Sequence, residues 1–268
     1  MIKKNVLNKF HNQGFVVTKI KNKKILKTIK KFLTNSFKEV IKQKDIINHY
    51  HKKIYDKKHY IFQRKIQKFI LKNNLHFEII KTNDEFFKSI LGNDICVTNH
   101  VNLRIVRPMI DFDNLNFHRD TDLGHTPYEI NCWIPLFDTN IQNALHILPR
   151  SHLKNLDYFK SKKINTRFKK GSLQNQLGYL YKSFKHKTFD YKKMKPIKCK
   201  FGELIIFYSS CMHGTKANTS NKTRFSIDFN LSNPFYPIKW KHHGNEEKYK
   251  TIITSKIVST AQKKNNNN

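Results

Sequence analysis

Residues 224–231 alternate without a break. Arg224, Ser226, Asp228 and Asn230 fall on one face of an extended chain, and Phe225, Ile227, Phe229 and Leu231 on the other. Successive side chains of a β-strand point to opposite faces. The pattern therefore specifies a strand with one face on an apolar layer and the other on solvent or a polar cavity. Upstream, Gly202-Glu203 opens the apolar run Leu204–Tyr208, which closes at Ser209-Ser210 and reads as a buried strand. Glu129 to Leu136 also alternates, with Glu129, Asn131 and Trp133 against Ile130, Cys132, Ile134 and Leu136. Pro135 restricts that strand to an edge, a bulge or an end.

The strands frame a spaced set of chemically active side chains. His118-Arg119-Asp120 precedes the 129–136 strand, and His213 lies just past the 204–208 strand. Asp120 and His213 are 93 residues apart (213 − 120), which leaves room for several strands between them. Two histidines and a carboxylate can occupy one face of a ferrous ion and leave the opposite positions open, as oxygen chemistry requires. The turn residues Ala217–Asn221 follow, and then Arg224. A guanidinium there can hold a dicarboxylic co-substrate.

His118-Arg119-Asp120, the run Ala144–His152, Gly202–Phe207, His213-Gly214-Thr215, Asn218 and Thr223-Arg224 come in the order in which the phytanoyl-CoA dioxygenase family carries them. The sequence resembles that family of Fe(II)/2-oxoglutarate oxygenases over residues 95–232, with a weaker echo at residues 13–17. Glu129–Leu136 also looks like a branch found in bacterial carbohydrate-biosynthesis clusters. The resemblance implies a mainly β fold with flanking α-helices, a double-stranded β-helix (jelly roll, cupin-like). It implies Fe(2+), 2-oxoglutarate and O2 as cofactor and co-substrates, and hydroxylation of a small molecule (a sugar, a lipid or acyl thioester, or a secondary metabolite) with release of succinate and CO2. His118, Asp120 and His213 would be the metal ligands. Arg224 would pair with the distal carboxylate of 2-oxoglutarate, because a guanidinium matches a carboxylate bidentately. Thr215 would add a hydroxyl to that carboxylate, and Asn131 and Arg104 would assist from their strands. Related halogenases put a small residue where this chain has Asp120, so the aspartate argues against halide chemistry. One departure is Pro149-Arg150-Ser151-His152, where the family reads Pro-Gly-Ser-His; a positive φ at Arg150 would be strained.

Other chemistries find no support. There is no His-Glu-x-x-His, no Gly-x-Ser-x-Gly, and no Gly-x-Gly-x-x-Gly or Walker-type loop. Cys96, Cys132, Cys199 and Cys211 form no Cys-x-x-Cys pair and suit neither a zinc ribbon nor a disulfide framework. Free thiols and a ferrous site both favour a reducing cytoplasm, and no segment reaches membrane-spanning length. The net charge of +33 raises nucleic acid as a partner. However, the lysines run from end to end, Lys outnumbers Arg, and no Arg-interleaved aromatic stripe marks a single-strand channel. Lys, Asn and Ile share A/T-rich codons, a sufficient cause of the charge. The expected partner is a small-molecule substrate with no specific nucleic acid. Two rival classes stay open: a cupin-like metal protein without oxygenase activity, and a protein that binds or modifies nucleic acid.

A chain of 268 residues suits one domain with decorations over residues 1–262. The expected order is a helical part at 1–94, a jelly-roll core at 95–232, and an extension at 233–262 in which residues 236–240 run on past the last core strand. Residues 263–268 read as a disordered polar tail. Within the first part, residues 14–20 read as a strand, residues 21–44 and 45–72 as two helices, and Thr82–Glu85 as a capping box starting a helix that ends at Leu91. The Lys-rich segment 153–196 reads as an insert, either a solvated loop or a cover over the active site.

Overall fold

A computed structural model describes residues 4–154, 161–236 and 249–265. Its helices are α1 (Lys4–Gln13), α2 (Lys24–Ile41), α3 (Ile46–Lys53), α4 (Asp56–Lys72), α5 (Leu75–Lys81), α6 (Asp84–Leu91), α7 (Leu173–Gln176) and α8 (Lys256–Asn265). The strands are β1 (Phe15–Lys19), β2 (Ile95–Thr98), β3 (Asn102–Val106), β4 (Ile130–Pro135), β5 (Leu145–Ile147), β6 (Ser161–Asn165), β7 (Lys182–His186), β8 (Lys195–Ile197), β9 (Glu203–Tyr208), β10 (His213–Gly214), β11 (Arg224–Ser232) and β12 (Tyr249–Ile253).

The strands form a jelly roll. A seven-stranded antiparallel sheet runs β1-β9-β4-β11-β2-β12, with β3 also beside β11. A smaller sheet, β10-β5-β8, packs on its inner face through Trp133, Ile205 and Phe207 against Leu145 and Ile147. The helices cover the outer face. Leu26, Ile29 and Leu33 of α2, Ile66 and Ile70 of α4, and Phe87 of α6 share one core with Cys132, Ile134, Phe225, Ile227 and Phe229 of the sheet. The alternation of residues 224–231 is thus resolved. Its apolar face meets the helices, and its polar face turns into the space between the sheets.

Several local expectations are modified. Residues 45–72 are two helices rather than one, because Ile54 is extended and buried at the break, where its carbonyl accepts from Arg107 Nη1 at 3.2 Å. The helix ending at Leu91 forms without the capping box. Thr82 instead closes α5, its hydroxyl donating to Glu78 O, and Asn83 occupies the cap position of α6. Pro135 stands at the end of β4, where its missing N–H is harmless. The extension past residue 232 contributes β12, which pairs with β2, and α8, which takes in residues 263–265 of the expected tail. Residues 237–240 and 266–268 lie outside the described residues. Among the described residues, no helix is long and apolar enough to cross a membrane.

Two histidines sit deep between helices and sheet. His76 Nε2 donates to Thr98 O at 3.2 Å, and His59 lies between the hydroxyls of Tyr50 and Tyr179. Burial pushes each down to about 4 from an ordinary 6.5, against a small opposing contribution from Thr98 O in one case and Asp113 in the other. The unfolded chain takes up these protons near pH 6.5 and the native chain does not, so stability falls as pH drops from about 6.5 towards about 4. By pH 5 the loss should be on the order of 2 kcal/mol per histidine. Urea midpoints at pH 7 and pH 5 measure it. The difference should shrink in a His76→Leu variant, and identical wild-type midpoints would refute the assignment.

Candidate active site

His118 and His213 are brought together by their own backbones. His118 N donates to His213 O at 2.8 Å and His213 N donates to His118 O at 2.9 Å, an antiparallel bridge that sets the rings 4.3 Å apart. Asp120 comes two residues after His118 and enters a short 3₁₀ turn, with its N–H held by Ser209 O. Asp120 Oδ1 lies 3.3 Å from His118 Nε2 and 3.7 Å from His213 Nε2. One ligand atom from each of the three residues falls within 4.8 Å of the others. The remaining ring nitrogens are committed elsewhere: His118 Nδ1 donates to Asn116 O at 2.6 Å, and His213 Nδ1 donates to Cys211 O at 3.0 Å. A carbonyl can only accept, so Nδ1 carries a proton in both rings and both Nε2 atoms face Asp120. Metal-ligating histidines are oriented in this way.

The electrostatics agree. Burial, followed by the neighbouring His118, pushes His213 down to about 4, with Asp120 opposing. Burial alone would raise the Asp120 carboxyl, but the facing histidines outweigh it and hold the group well below the usual carboxylate range. An ionised carboxylate beside a neutral imidazole is the state a divalent cation needs.

These residues line one cavity of about 710 Å³ together with Arg224, Trp133, Asn131 and Phe207. Arg224 is 4% exposed, and Nη1 donates to Asn143 O at 3.2 Å while Nε is buried with no hydrogen-bond partner. Among the described residues, no carboxylate lies within 4.0 Å of it. Burial, followed by the nearby Arg104, pushes the guanidinium down to about 10, so it remains charged at neutral pH. A buried, charged and unpaired arginine demands an anion. Asn131 Oδ1 accepts from Asn230 while its Nδ2 is buried and unpartnered, a second donor in the same cavity.

Thr215 and Arg104 serve differently from the sequence expectation. Thr215 Oγ1 accepts from Leu115 N at 3.0 Å and leans on Asn114 and Leu115 O, so this hydroxyl steadies the segment leading to His118. Arg104 lines the cavity, but its nitrogens are all occupied. Nε and Nη2 fork onto Asp228 at 2.7 and 3.2 Å, and Nη1 donates to Gly178 O at 2.7 Å. It braces the wall of the cavity. Arg150 has φ +63, the conformation that strains a side-chain-bearing residue, and its turn is fixed by Arg150 N donating to Gln13 O.

The insert covers the cavity. Its hairpin, β6 with β7, and α7 bring Lys170, Asn175, Gly178, Tyr179, Leu180 and Lys182 to the lining. Gly178 fits because it has no side chain: φ is +89, and a Cβ would lie 2.3 Å from Asn102 Oδ1. Tyr179 is buried, with its hydroxyl donating to Gln63 Oε1 and meeting His59 Nε2, both at 3.3 Å. Further on, His186 Nε2 donates at 2.7 Å to Asp122 Oδ2, two residues past Asp120.

A model of the phytanoyl-CoA dioxygenase (PhyH) family matches residues 10–226. The chain belongs to that family. No curated protein sequence matches it. Among solved structures, the PhyH chain is similar to the non-heme monooxygenase ThoJ in its apo form, with 15% identity over 93% of this chain and 84% of that one and a TM-score of 0.55. It is also similar to HygX from Streptomyces hygroscopicus with nickel and 2-oxoglutarate bound (10% identity, 94% and 98% coverage, TM-score 0.53). A third is the non-heme alpha-ketoglutarate-dependent epimerase SnoN from nogalamycin biosynthesis (8% identity, 93% and 97% coverage, TM-score 0.52). At such identities the likeness shows the fold.

Sequence reasoning missed Asp228, Asn102, Gly178 and Tyr179 in this PhyH site. Asp228 carried a signal, since it shares the polar strand face with Arg224. Tyr179 carried none, as its partners on α4 are more than a hundred positions away. Arg104→Ala should release the insert, because it removes both the fork on Asp228 and the bond to Gly178. Losing a charge-assisted bond costs about 1.5–3 kcal/mol, so limited proteolysis within residues 161–196 should quicken by roughly tenfold or more. Cleavage at the wild-type rate would show that the insert is held by other contacts.

Proposed function

We propose that the chain is an Fe(II)- and 2-oxoglutarate-dependent oxygenase that hydroxylates a small-molecule substrate. One observation carries the proposal: a two-histidine, one-carboxylate donor set shares a cavity with a buried arginine that has no counter-ion. The residues fit both groups. Two imidazoles and a carboxylate suit Fe(II) and would leave coordination positions open. The orphan Nε of Arg224 and the orphan Nδ2 of Asn131 suit the distal end of a dicarboxylate. HygX shares the fold and is known with nickel and 2-oxoglutarate bound; we extend that pair of ligands to this chain, with iron in the metal's place.

When bound, Fe(II) and 2-oxoglutarate supply activation of O2 coupled to decarboxylation to succinate and CO2. The protein supplies geometry. His118 and His213 present Nε2 and Asp120 presents its carboxylate, all fixed by the backbone bridge and the two Nδ1–carbonyl bonds. Arg224 orients the co-substrate from β11, backed by the face of Trp133 5.6 Å away. Trp133, Leu145 and Phe207 keep water from the inner wall, and the insert covers the cavity. Asp120 fills the place a halide would need, which favours hydroxylation.

Anaerobic addition of Fe(II) and 2-oxoglutarate should give a weak visible charge-transfer band, and His213→Ala should abolish it. Arg224→Ala should weaken 2-oxoglutarate by about 10- to 150-fold, the equivalent of about 1.5–3 kcal/mol, and leave metal affinity near wild type. Arg224→Lys should recover only part, since an ammonium cannot make the two-pronged contact. A band that survives in His213→Ala, or unchanged 2-oxoglutarate affinity in Arg224→Ala, would remove the basis of the proposal.

A further inference from the structure

The charges around the cavity cancel in groups, with a remainder. Arg104 is neutralised by Asp228, 2.7 Å away. On the proposed cofactor pair, on which this inference rests, a divalent ion, the Asp120 carboxylate, a dicarboxylate and the Arg224 guanidinium sum to zero. Two charged side chains of the lining are then left, Lys170 and Lys182, both cationic and both from the insert. Neither has a carboxylate within 4.0 Å among the described residues. The adjoining cavity, which shares Leu115, Leu180 and Thr215 with the first, receives a third insert cation, Arg167, laid on the Phe112 ring. Every charged residue that the insert places on either cavity is basic.

Anchors between them hold the segment that joins them. Gly178 is clamped by Arg104 and has no room for a side chain, and Tyr179 is locked by Gln63 and His59. Lys170 lies eight residues before Gly178 (178 − 170) and Lys182 three after Tyr179 (182 − 179). Lys182 is held further by pairing with Asn165 across the hairpin, and its ammonium lies 5.6 and 5.8 Å from the rings of Tyr181 and Phe184. The overall charge of +33 places lysines all over the surface, but these two are the ones carried to the cavity.

We infer that Lys170 and Lys182 form an oxyanion subsite, and that the substrate is a small molecule carrying a phosphate or carboxylate group. The anion is held by the insert while the group to be oxidised faces the histidines and Asp120. Specificity thereby resides in the insert and chemistry in the sheet.

The test uses the full chain loaded with Ni(II) and 2-oxoglutarate, a pair that does not turn over, and calorimetric titration at physiological salt. Phenyl phosphate and benzoate are the anionic probes, and benzyl alcohol is the neutral one. At least one anion should bind once per chain and at least tenfold tighter than the alcohol. Whichever binds identifies phosphate or carboxylate as the group recognised. Lys170→Ala/Lys182→Ala should lower that affinity by about 10- to 100-fold and leave 2-oxoglutarate affinity unchanged. A control, Lys9→Ala/Lys68→Ala, removes two exposed lysines elsewhere and should change nothing. The subsite is overturned if neither anion exceeds the alcohol, if the double variant binds as the wild type does, or if the control loses as much. The same titration on the metal-free chain separates the two proposals. Lysine-dependent anion binding without any Fe(II)/2-oxoglutarate band would keep the subsite and discard the oxygenase.

Discussion

The burial of β11 on both faces is the constraint on which the rest of the structure depends. It lies between β4 on one side and β3 and β2 on the other, so its backbone groups are used within the sheet. Phe225, Ile227 and Phe229 hold the helices, while Arg224, Asp228 and Asn230 line the cavity opposite. A slip of one residue would exchange the faces, placing three phenylalanine and isoleucine rings and chains in the polar cavity and a guanidinium and a carboxylate in the core. Register is therefore set by the helix-facing core, and the active-site wall inherits its accuracy from it.

Two arginines on this wall, Arg224 buried and Arg104 part-buried, show how context divides one chemistry into two roles. Arg104 and Arg224 are strand residues of the same cavity. Arg104 meets Asp228 in a fork and becomes a brace between sheet and insert. Arg224 meets only a carbonyl and the face of Trp133, and its charge stays uncompensated. Paired, a buried guanidinium is a structural element. Unpaired, it is a vacancy for an anion, because desolvating a charge is tolerated only where a partner arrives.

The sheet and the clustering of His118, Asp120 and His213 were legible in the sequence because both leave local marks. Alternation marks strand faces, His213 and Arg224 open β10 and β11, and the spacing of His118 and Asp120 from them can be counted. What was not legible depends on partners distant in sequence. Arg104 looked like a co-substrate ligand until Asp228 was seen opposite it, and Thr215 looked the same until Leu115 took its hydroxyl. The split of residues 45–72 into α3 and α4 has its cause in Arg107, whose Nη1 donates to the Ile54 carbonyl from another layer. The insert reads as aperiodic because few of its side chains face a core. Leu177, Tyr179, Phe189 and Met194 do, and their spacing follows neither a strand nor a helix.

The separation of sheet and insert has a physical reason. Oxygen chemistry tolerates little error in where ligands sit, and strands fixed on two sides hold side chains more accurately than loops do. His118 and His213 go further, since the hydrogen bonds that pair their backbones also set their rings. Recognition of a substrate's remote group tolerates more error, since an ammonium attracts an oxyanion over a broad range of angles. The insert needs only a fixed pivot and sufficient reach. Gly178 and Tyr179 provide the pivot, and the lysine side chains on either side provide the reach. The fold thus assigns rigidity to the atoms that react and a longer, more forgiving contact to the atoms that only have to be recognised.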